Sequence, residues 1–158
     1  MHYVSSWGTT DKRILVHLQE NVLETMSAHA QHRASDLEAG GILLGAVRGN
    51  NLEITFATTP VASDSRHPYL FERKSDSHRE IAELLWLRSG GTIRYLGEWH
   101  THPQDHPKPS SIDISEWRIL VNKRVDKRPV LAIIVGRKSL HIELVYSNVS
   151  SSVLQPIS

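Results

Sequence analysis

Residues 98–113, EWHTHPQDHPKPSSID, place His100 and His102 at the end of an apolar run, with a single residue between them. That run, 92–99, is predicted to be a strand, in which side chains alternate, so the two imidazoles point the same way. Pro103 favours extended backbone at His102 and supports this alignment. Two such imidazoles can reach one ion at the roughly 2.0–2.1 Å that zinc requires. The stretch therefore predicts half of a metal site at a strand end.

A third ligand is expected to be a carboxylate, and Asp113 is the preferred candidate. It lies in the first turn of a helix predicted at about 111–124, across a loop that prolines stiffen. Ser110 and Asp113 also form a helix-start pattern related to the capping box, a role compatible with metal binding. Glu98 is the alternative ligand, although three same-face residues span about 13 Å of strand. Three protein ligands would leave a fourth position for water.

Hydrolysis of an amide at such a site needs a proton carrier, and Glu38 is the strongest candidate. It stands just before Gly40-Gly41 and the continuous apolar run 42–47, which is typical of a buried strand. Backbone can approach closely at the glycine pair, so the carboxylate can enter a cleft and act as acid or base. Periodicity alone does not distinguish Glu38 from Asp36.

Composition limits the class of protein. The 158 residues are 39% hydrophobic and 22% charged, which fits one soluble globular domain. A net charge of +1 argues against a strongly electrostatic nucleic-acid binder. Since there is no cysteine, a disulfide framework, a cysteine nucleophile and a thiolate metal site are excluded. Charged residues interrupt positions 1–20 and no run nears the roughly 18 apolar residues of a membrane span, so we expect a cytoplasmic protein.

Hydrophobic periodicity predicts one α/β domain over residues 1–158, a mixed sheet with helices on it. The predicted strands are 2–7, 12–16, 37–47, 52–58, 92–99, 130–136 and 139–146, and the predicted helices are 17–34, 75–88 and 111–124. Residues 59–73 are expected to be irregular. The tail, 147–158, is expected to fray or to dock only through Val153 and Leu154.

The same residues resemble the JAMM (JAB1/MPN/Mov34) metalloprotease signature. Glu38 precedes a Gly-rich strand, His100-x-His102 is followed by seven residues and Ser110, and two more residues lead to Asp113. The element order resembles the MPN fold, a mixed curved β-sheet flanked by helices, over about residues 10–146. The resemblance implies that His100, His102 and Asp113 bind one Zn2+ per chain. It also implies that Glu38 is the acid/base and that Ser110 stabilises the oxyanion.

The stretches GGILLG, YLGEWHTHP and PSSID are further similar to bacterial JAB-domain deconjugases of CBASS anti-phage operons. This implies an isopeptidase that removes a cGAS-like nucleotidyltransferase from conjugates made by an E1–E2-like partner, without nucleic-acid or membrane partners. It also places a substrate-contacting insertion near 60–73. The alternatives are a non-catalytic MPN scaffold that binds protein partners, and a zinc amidase for small molecules or short peptides.

Overall fold

A computed structural model of the protein describes residues 3–60, 64–67, 70–72, 75–148 and 150–157. Its helices are α1 (Glu20–His29), α2 (Ser75–Arg88) and α3 (Ser111–Lys123). Its strands are β1 (Ser6–Gly8), β2 (Leu15–Leu18), β3 (Gly40–Arg48), β4 (Asn51–Ala57), β5 (Ser65–His67), β6 (Leu70–Glu72), β7 (Arg94–Thr101), β8 (Val130–Val135), β9 (Leu140–Val145), β10 (Ser151–Val153) and β11 (Gln155–Pro156). None of the helices in these ranges is long and apolar enough to cross a membrane.

Nine strands form one sheet in the order β10-β9-β8-β7-β3-β4-β2-β1-β11. The β2–β4 and β7–β8 pairs are parallel and the others are antiparallel. The two edge strands, β10 and β11, are separated in the chain only by Leu154. The sheet must therefore curl until its edges meet at this segment. The predicted α/β fold, a curved mixed sheet flanked by helices, is confirmed.

The C-terminal tail departs from the prediction for 147–158, because residues 150–157 do not fray. β10 pairs with β9, β11 pairs with β1, and the Ile157 amide donates to the Ser6 carbonyl. Leu154 is buried as expected, whereas Val153 is 44% exposed. Edge pairing uses backbone groups, so this Ser-rich segment carries little side-chain pattern that could predict it.

Two further segments differ from the prediction. Residues 65–67 and 70–72 pair as the β5–β6 hairpin where irregular chain was expected; positions 61–63, 68–69 and 73, within the predicted insertion, lie outside the described residues. α1 is shorter than the predicted 17–34, because β2 runs parallel to β4 through Leu18 and because the chain leaves the helix at the C-cap residue Ala30. Gln31 is buried there and bonds to the Asp36 carbonyl. These tertiary contacts override the amphipathic pattern.

The middle of the sheet positions α3. All six residues of β8 are buried because the strand alternates between two apolar clusters. Leu131, Ile133 and Val135 enter the main core, whereas Val130, Ala132 and Ile134 pack beneath α3 with Trp117 and Val121. The N-terminus of α3 is thereby held beside the end of β7, where the two histidines lie.

Candidate metal and catalytic site

The two histidines converge at the end of β7. His100 pairs with Gly40 on β3 and Ile134 on β8, and the His102 amide donates to the Val135 carbonyl at 3.0 Å. Strand alternation turns both rings to one side, and their Nε2 atoms lie 3.1 Å apart. The backbone of β7 is thus anchored on both sides at the site.

Asp113 faces both imidazoles from the first turn of α3. Its Oδ1 lies 3.0 Å from His100 Nε2 and its Oδ2 lies 3.2 Å from His102 Nε2. Glu98, the alternative ligand, lines the same cavity. Asp113 is the carboxylate placed against both ring nitrogens, and it fits the third ligand position.

Ser110 caps the helix that carries Asp113. Its Oγ accepts a hydrogen bond from the Asp113 amide at 3.1 Å, while its own amide donates to Asp113 Oδ2 at 2.8 Å. This reciprocal capping box orients the Asp113 carboxylate. A hydroxyl that accepts one hydrogen bond still carries a hydrogen to donate, and Ser110 lines the cavity. Capping and a second role in the site are therefore compatible.

Glu38 reaches the site from the chain before β3. It is 6% exposed, and one of its carboxylate oxygens lies within 4.8 Å of a ring nitrogen of each histidine. The Arg66 Nε atom, from the β5–β6 hairpin, donates to the Glu38 carbonyl at 3.1 Å. Asp36 instead accepts from the Arg33 amide and closes a local turn. The structure thus distinguishes the two acidic residues, which periodicity could not do: Glu38 reaches the site, and Asp36 does not line the cavity.

These groups share one cavity of about 390 Å³. Its lining includes the polar side chains of the two histidines, Asp113, Ser110 and Glu38, and the apolar side chains of Ile112, Trp117 and Leu120 on α3. All five predicted site residues therefore lie together.

Comparison with known families agrees with this geometry. Residues 19–147 match the Prok-JAB model, which describes prokaryotic homologs of the JAB domain. The chain belongs to this family.

Relatives and a solved structure of similar fold extend the comparison. The JAB domain is 52% identical over 157 residues to the CD-NTase/cGAS isopeptidase of Pseudomonas aeruginosa (strain BWHPSA011 / Pa011), covering 99% of each chain. It is 39% identical over 125 residues to the Escherichia coli (strain TW11681) protein of the same name, covering 79% of this chain and 78% of that one. The solution structure of protein DSY2949 from Desulfitobacterium hafniense shares the fold, with a TM-score of 0.58 at 20% identity over 90% of each chain. The names of these relatives support a hydrolase.

The donor set of this JAB domain fits a zinc ion. Ligand atoms around a tetrahedral zinc lie about 3.3 Å apart at ordinary zinc–ligand distances, close to the 3.0, 3.1 and 3.2 Å separations found here. Each Nε2 carries either one hydrogen or one lone pair. Neither imidazole can therefore satisfy both of its close neighbours with hydrogen bonds, whereas one cation among them can. Glu38 brings a carboxylate oxygen within 4.8 Å of a ring nitrogen of each histidine, which places it beside the position that an ion would take.

The electrostatics of the cluster favour a cation. Burial alone would raise the pKa of the Asp113 carboxyl, but hydrogen bonds from His100 and His102 outweigh burial and hold that pKa well below its ordinary value. Burial alone would lower the pKa of His102, but its hydrogen bond to Asp113 and the charges of Asp113 and Glu38 raise it. Asp113 therefore stays ionised opposite the two rings.

Sequence reasoning missed the residues that support the site. Gln104 Oε1 lies 3.3 Å from His102 Nδ1 and also accepts from the Lys108 amide. A partner at Nδ1 fixes the ring so that Nε2 faces an ion. Thr101 is fully buried although polar, and strand alternation could have flagged it as a polar residue aimed into the core. No local sequence pattern indicated Arg66, because its hydrogen bond to the Glu38 carbonyl depends on the β5–β6 hairpin.

Proposed function

We propose that this JAB domain is a zinc-dependent isopeptidase that hydrolyses the amide between a protein C-terminus and a lysine side chain. The observation that carries the proposal is the convergence of His100, His102 and Asp113 with a buried carboxylate, Glu38, at one cavity. Three ligands and an adjacent proton carrier are the parts that metal-assisted amide hydrolysis needs.

Each residue has a separate task in this mechanism. When bound, Zn2+ supplies a Lewis acid that polarises a carbonyl and makes water a nucleophile near neutral pH. His100, His102 and Asp113 would hold the ion. Glu38 accepts a proton from the attacking water and delivers it to the leaving lysine amine, so that water adds across the broken amide bond. The Ser110 hydroxyl donates to the carbonyl oxygen as that oxygen gains negative charge.

The substrate in this proposal is a cGAS-like nucleotidyltransferase joined through its C-terminus to a target lysine. The name of the Pseudomonas aeruginosa relative, 52% identical over 99% of both chains, supports this substrate. In this proposal an E1–E2-like protein makes the conjugate. Location in the cytoplasm and an anti-phage role in CBASS are further predictions. The C-terminal tail would lie extended in the cavity beside a strand, as peptides do in β-augmentation.

Two other functions are alternatives. A non-catalytic scaffold would bind partners through the same surface, but such a protein has no need of a complete ligand set with a buried carboxylate beside it. A small-molecule or short-peptide amidase would use the same chemistry. Comparing a folded conjugate with a tail-only peptide separates the amidase, because an amidase should cleave the peptide equally well.

The test is cleavage of a conjugate between the nucleotidyltransferase C-terminus and a lysine of a carrier protein, with zinc measured by mass spectrometry. We expect one zinc per chain, loss of cleavage on chelation and recovery with added zinc. Glu38→Gln should abolish cleavage while zinc remains, and His102→Ala should lose zinc. Asp36→Asn is the matched control, because the Asp36 carboxylate does not line the cavity and an asparagine side-chain oxygen can still accept from the Arg33 amide. Normal turnover by Glu38→Gln, or cleavage that persists without metal, would contradict the proposal.

A further inference from the structure

Thr101 links the histidine strand to the chain that carries Glu38. It stands between the two histidines but faces the opposite side of β7, where it is 0% exposed. Its amide donates to the Ala39 carbonyl at 2.8 Å, and its Oγ1 accepts from the Ala39 amide at 2.9 Å. Ala39 directly follows Glu38. The residue between two metal-site histidines therefore holds the neighbour of the proposed acid/base by two hydrogen bonds.

Gln31 completes this network from the end of α1. The Thr101 hydroxyl donates to Gln31 Oε1 at 2.8 Å, and Gln31 Nε2 donates to the Asp36 carbonyl at 3.0 Å. Gln31 is 1% exposed, so these bonds form away from water. The chain around Glu38 is thus held on one side through Asp36 and on the other through Ala39.

The network matters because Glu38 lies in irregular chain. No helix or strand covers residues 30–39, whereas β7 is fixed between β3 and β8. Without a tie, the carboxylate could shift relative to the histidines, and a misplacement of about 1 Å can reduce turnover about 10²-fold. Because Thr101 belongs to the histidine strand, its bonds to Ala39 make the two halves of the site move together.

We propose that Thr101 is a positioning residue for Glu38 and that Gln31 supports it. The inference rests on the proposed function, since it assigns a task to the support of the acid/base. Thr101→Val keeps the side-chain shape but removes the hydroxyl. We expect kcat to fall about 10–100-fold, a range typical of lost outer-shell partners. KM and zinc content should change little, because Thr101 does not line the cavity and the histidine backbone keeps its bonds to β8.

The experiment compares Thr101→Val, Thr101→Ser and Gln31→Met in full-length protein. It measures kcat and KM on the lysine conjugate, zinc content, melting temperature and hydrogen exchange of the Ala39 amide. Thr101→Val should lower kcat and speed exchange at Ala39, and Thr101→Ser should restore both by restoring the hydroxyl. Gln31→Met should have a smaller effect in the same direction, because it keeps the bond between Thr101 and Ala39.

Several outcomes would overturn the inference. Wild-type kcat in Thr101→Val, or an equal loss in Thr101→Ser that follows melting temperature, would show a purely structural role. If Thr101→Val does not fold, Gln31→Met provides the test. A folded Gln31→Met variant with wild-type kcat and wild-type hydrogen exchange at the Ala39 amide would refute the network. Glu38→Gln is assayed in parallel: if it turns over normally, the proposed function fails, whereas an inactive Glu38→Gln beside a fully active Thr101→Val refutes only the positioning role.

Discussion

Ser110 has two proposed roles that substitutions can separate. Its Oγ accepts from the Asp113 amide at 3.1 Å, which caps α3, and its hydroxyl hydrogen is proposed to stabilise the oxyanion. Ser110→Ala removes both the cap acceptor and the hydroxyl. Ser110→Gly removes the hydroxyl too, but glycine is itself tolerated at an N-cap. The two variants therefore differ in their effect on stability, but both lack the proposed oxyanion donor.

The magnitudes follow from the capping geometry. Alanine at an N-cap costs about 1 kcal/mol of unfolding free energy and glycine only a few tenths. Neither variant removes the backbone amide of residue 110, which bonds to Asp113 Oδ2 at 2.8 Å, so the carboxylate keeps its orientation. Loss of an oxyanion donor lowers kcat by about 10²–10³-fold, or about 2.7–4 kcal/mol. We therefore expect a kinetic loss much larger than the stability loss, and equal in both variants.

The assay pairs urea denaturation with kcat on the lysine conjugate and a zinc measurement. Ser111→Ala is the matched control, because Ser111 is the exposed first residue of α3 and its change should leave kcat and stability nearly unaltered. Near-wild-type kcat in Ser110→Gly would show that Ser110 is a cap and nothing more. Loss of zinc in that variant would show that Ser110 acts through Asp113.

Three other predictions concern the scaffold. Arg124→Met should lower the unfolding free energy by about 2–4 kcal/mol, because the Arg124 side chain is only 7% exposed and its guanidinium donates to a backbone carbonyl of β7 and to one just before β8. Urea denaturation measures this, and Arg13→Met, at an exposed ion pair, should change stability by no more than about 0.5 kcal/mol. Gln104→Leu should weaken zinc binding about 10–100-fold in a chelator competition, because His102 Nδ1 loses its partner. Gly97→Ala should destabilise by about 1–3 kcal/mol in thermal melts, because a Cβ there would collide with the backbone of β8.

Local geometry explains which parts of the site could be predicted. His100 and His102 share a face because side chains alternate along a strand, and Ser110 and Asp113 occupy the N-cap and third position of one helix. Both relations act over a few residues, so spacing reveals them. The choice of Glu38 over Asp36 could not be read this way, because it depends on β3 pairing with β7, and 45 residues of chain lie between these two strands.

Composition and local patterns were enough to identify the functional groups available to the site: imidazoles and carboxylates without thiols, on apolar strands and a capped helix. These properties follow from composition and from interactions between near neighbours. The tertiary structure shows which carboxylate faces the imidazoles, that Thr101 bonds to Ala39 beside Glu38, and that the tail closes the sheet. These features depend on backbone pairing and side-chain contacts between segments that are distant in the chain. Hydrophobic periodicity does not indicate which distant segments will pair.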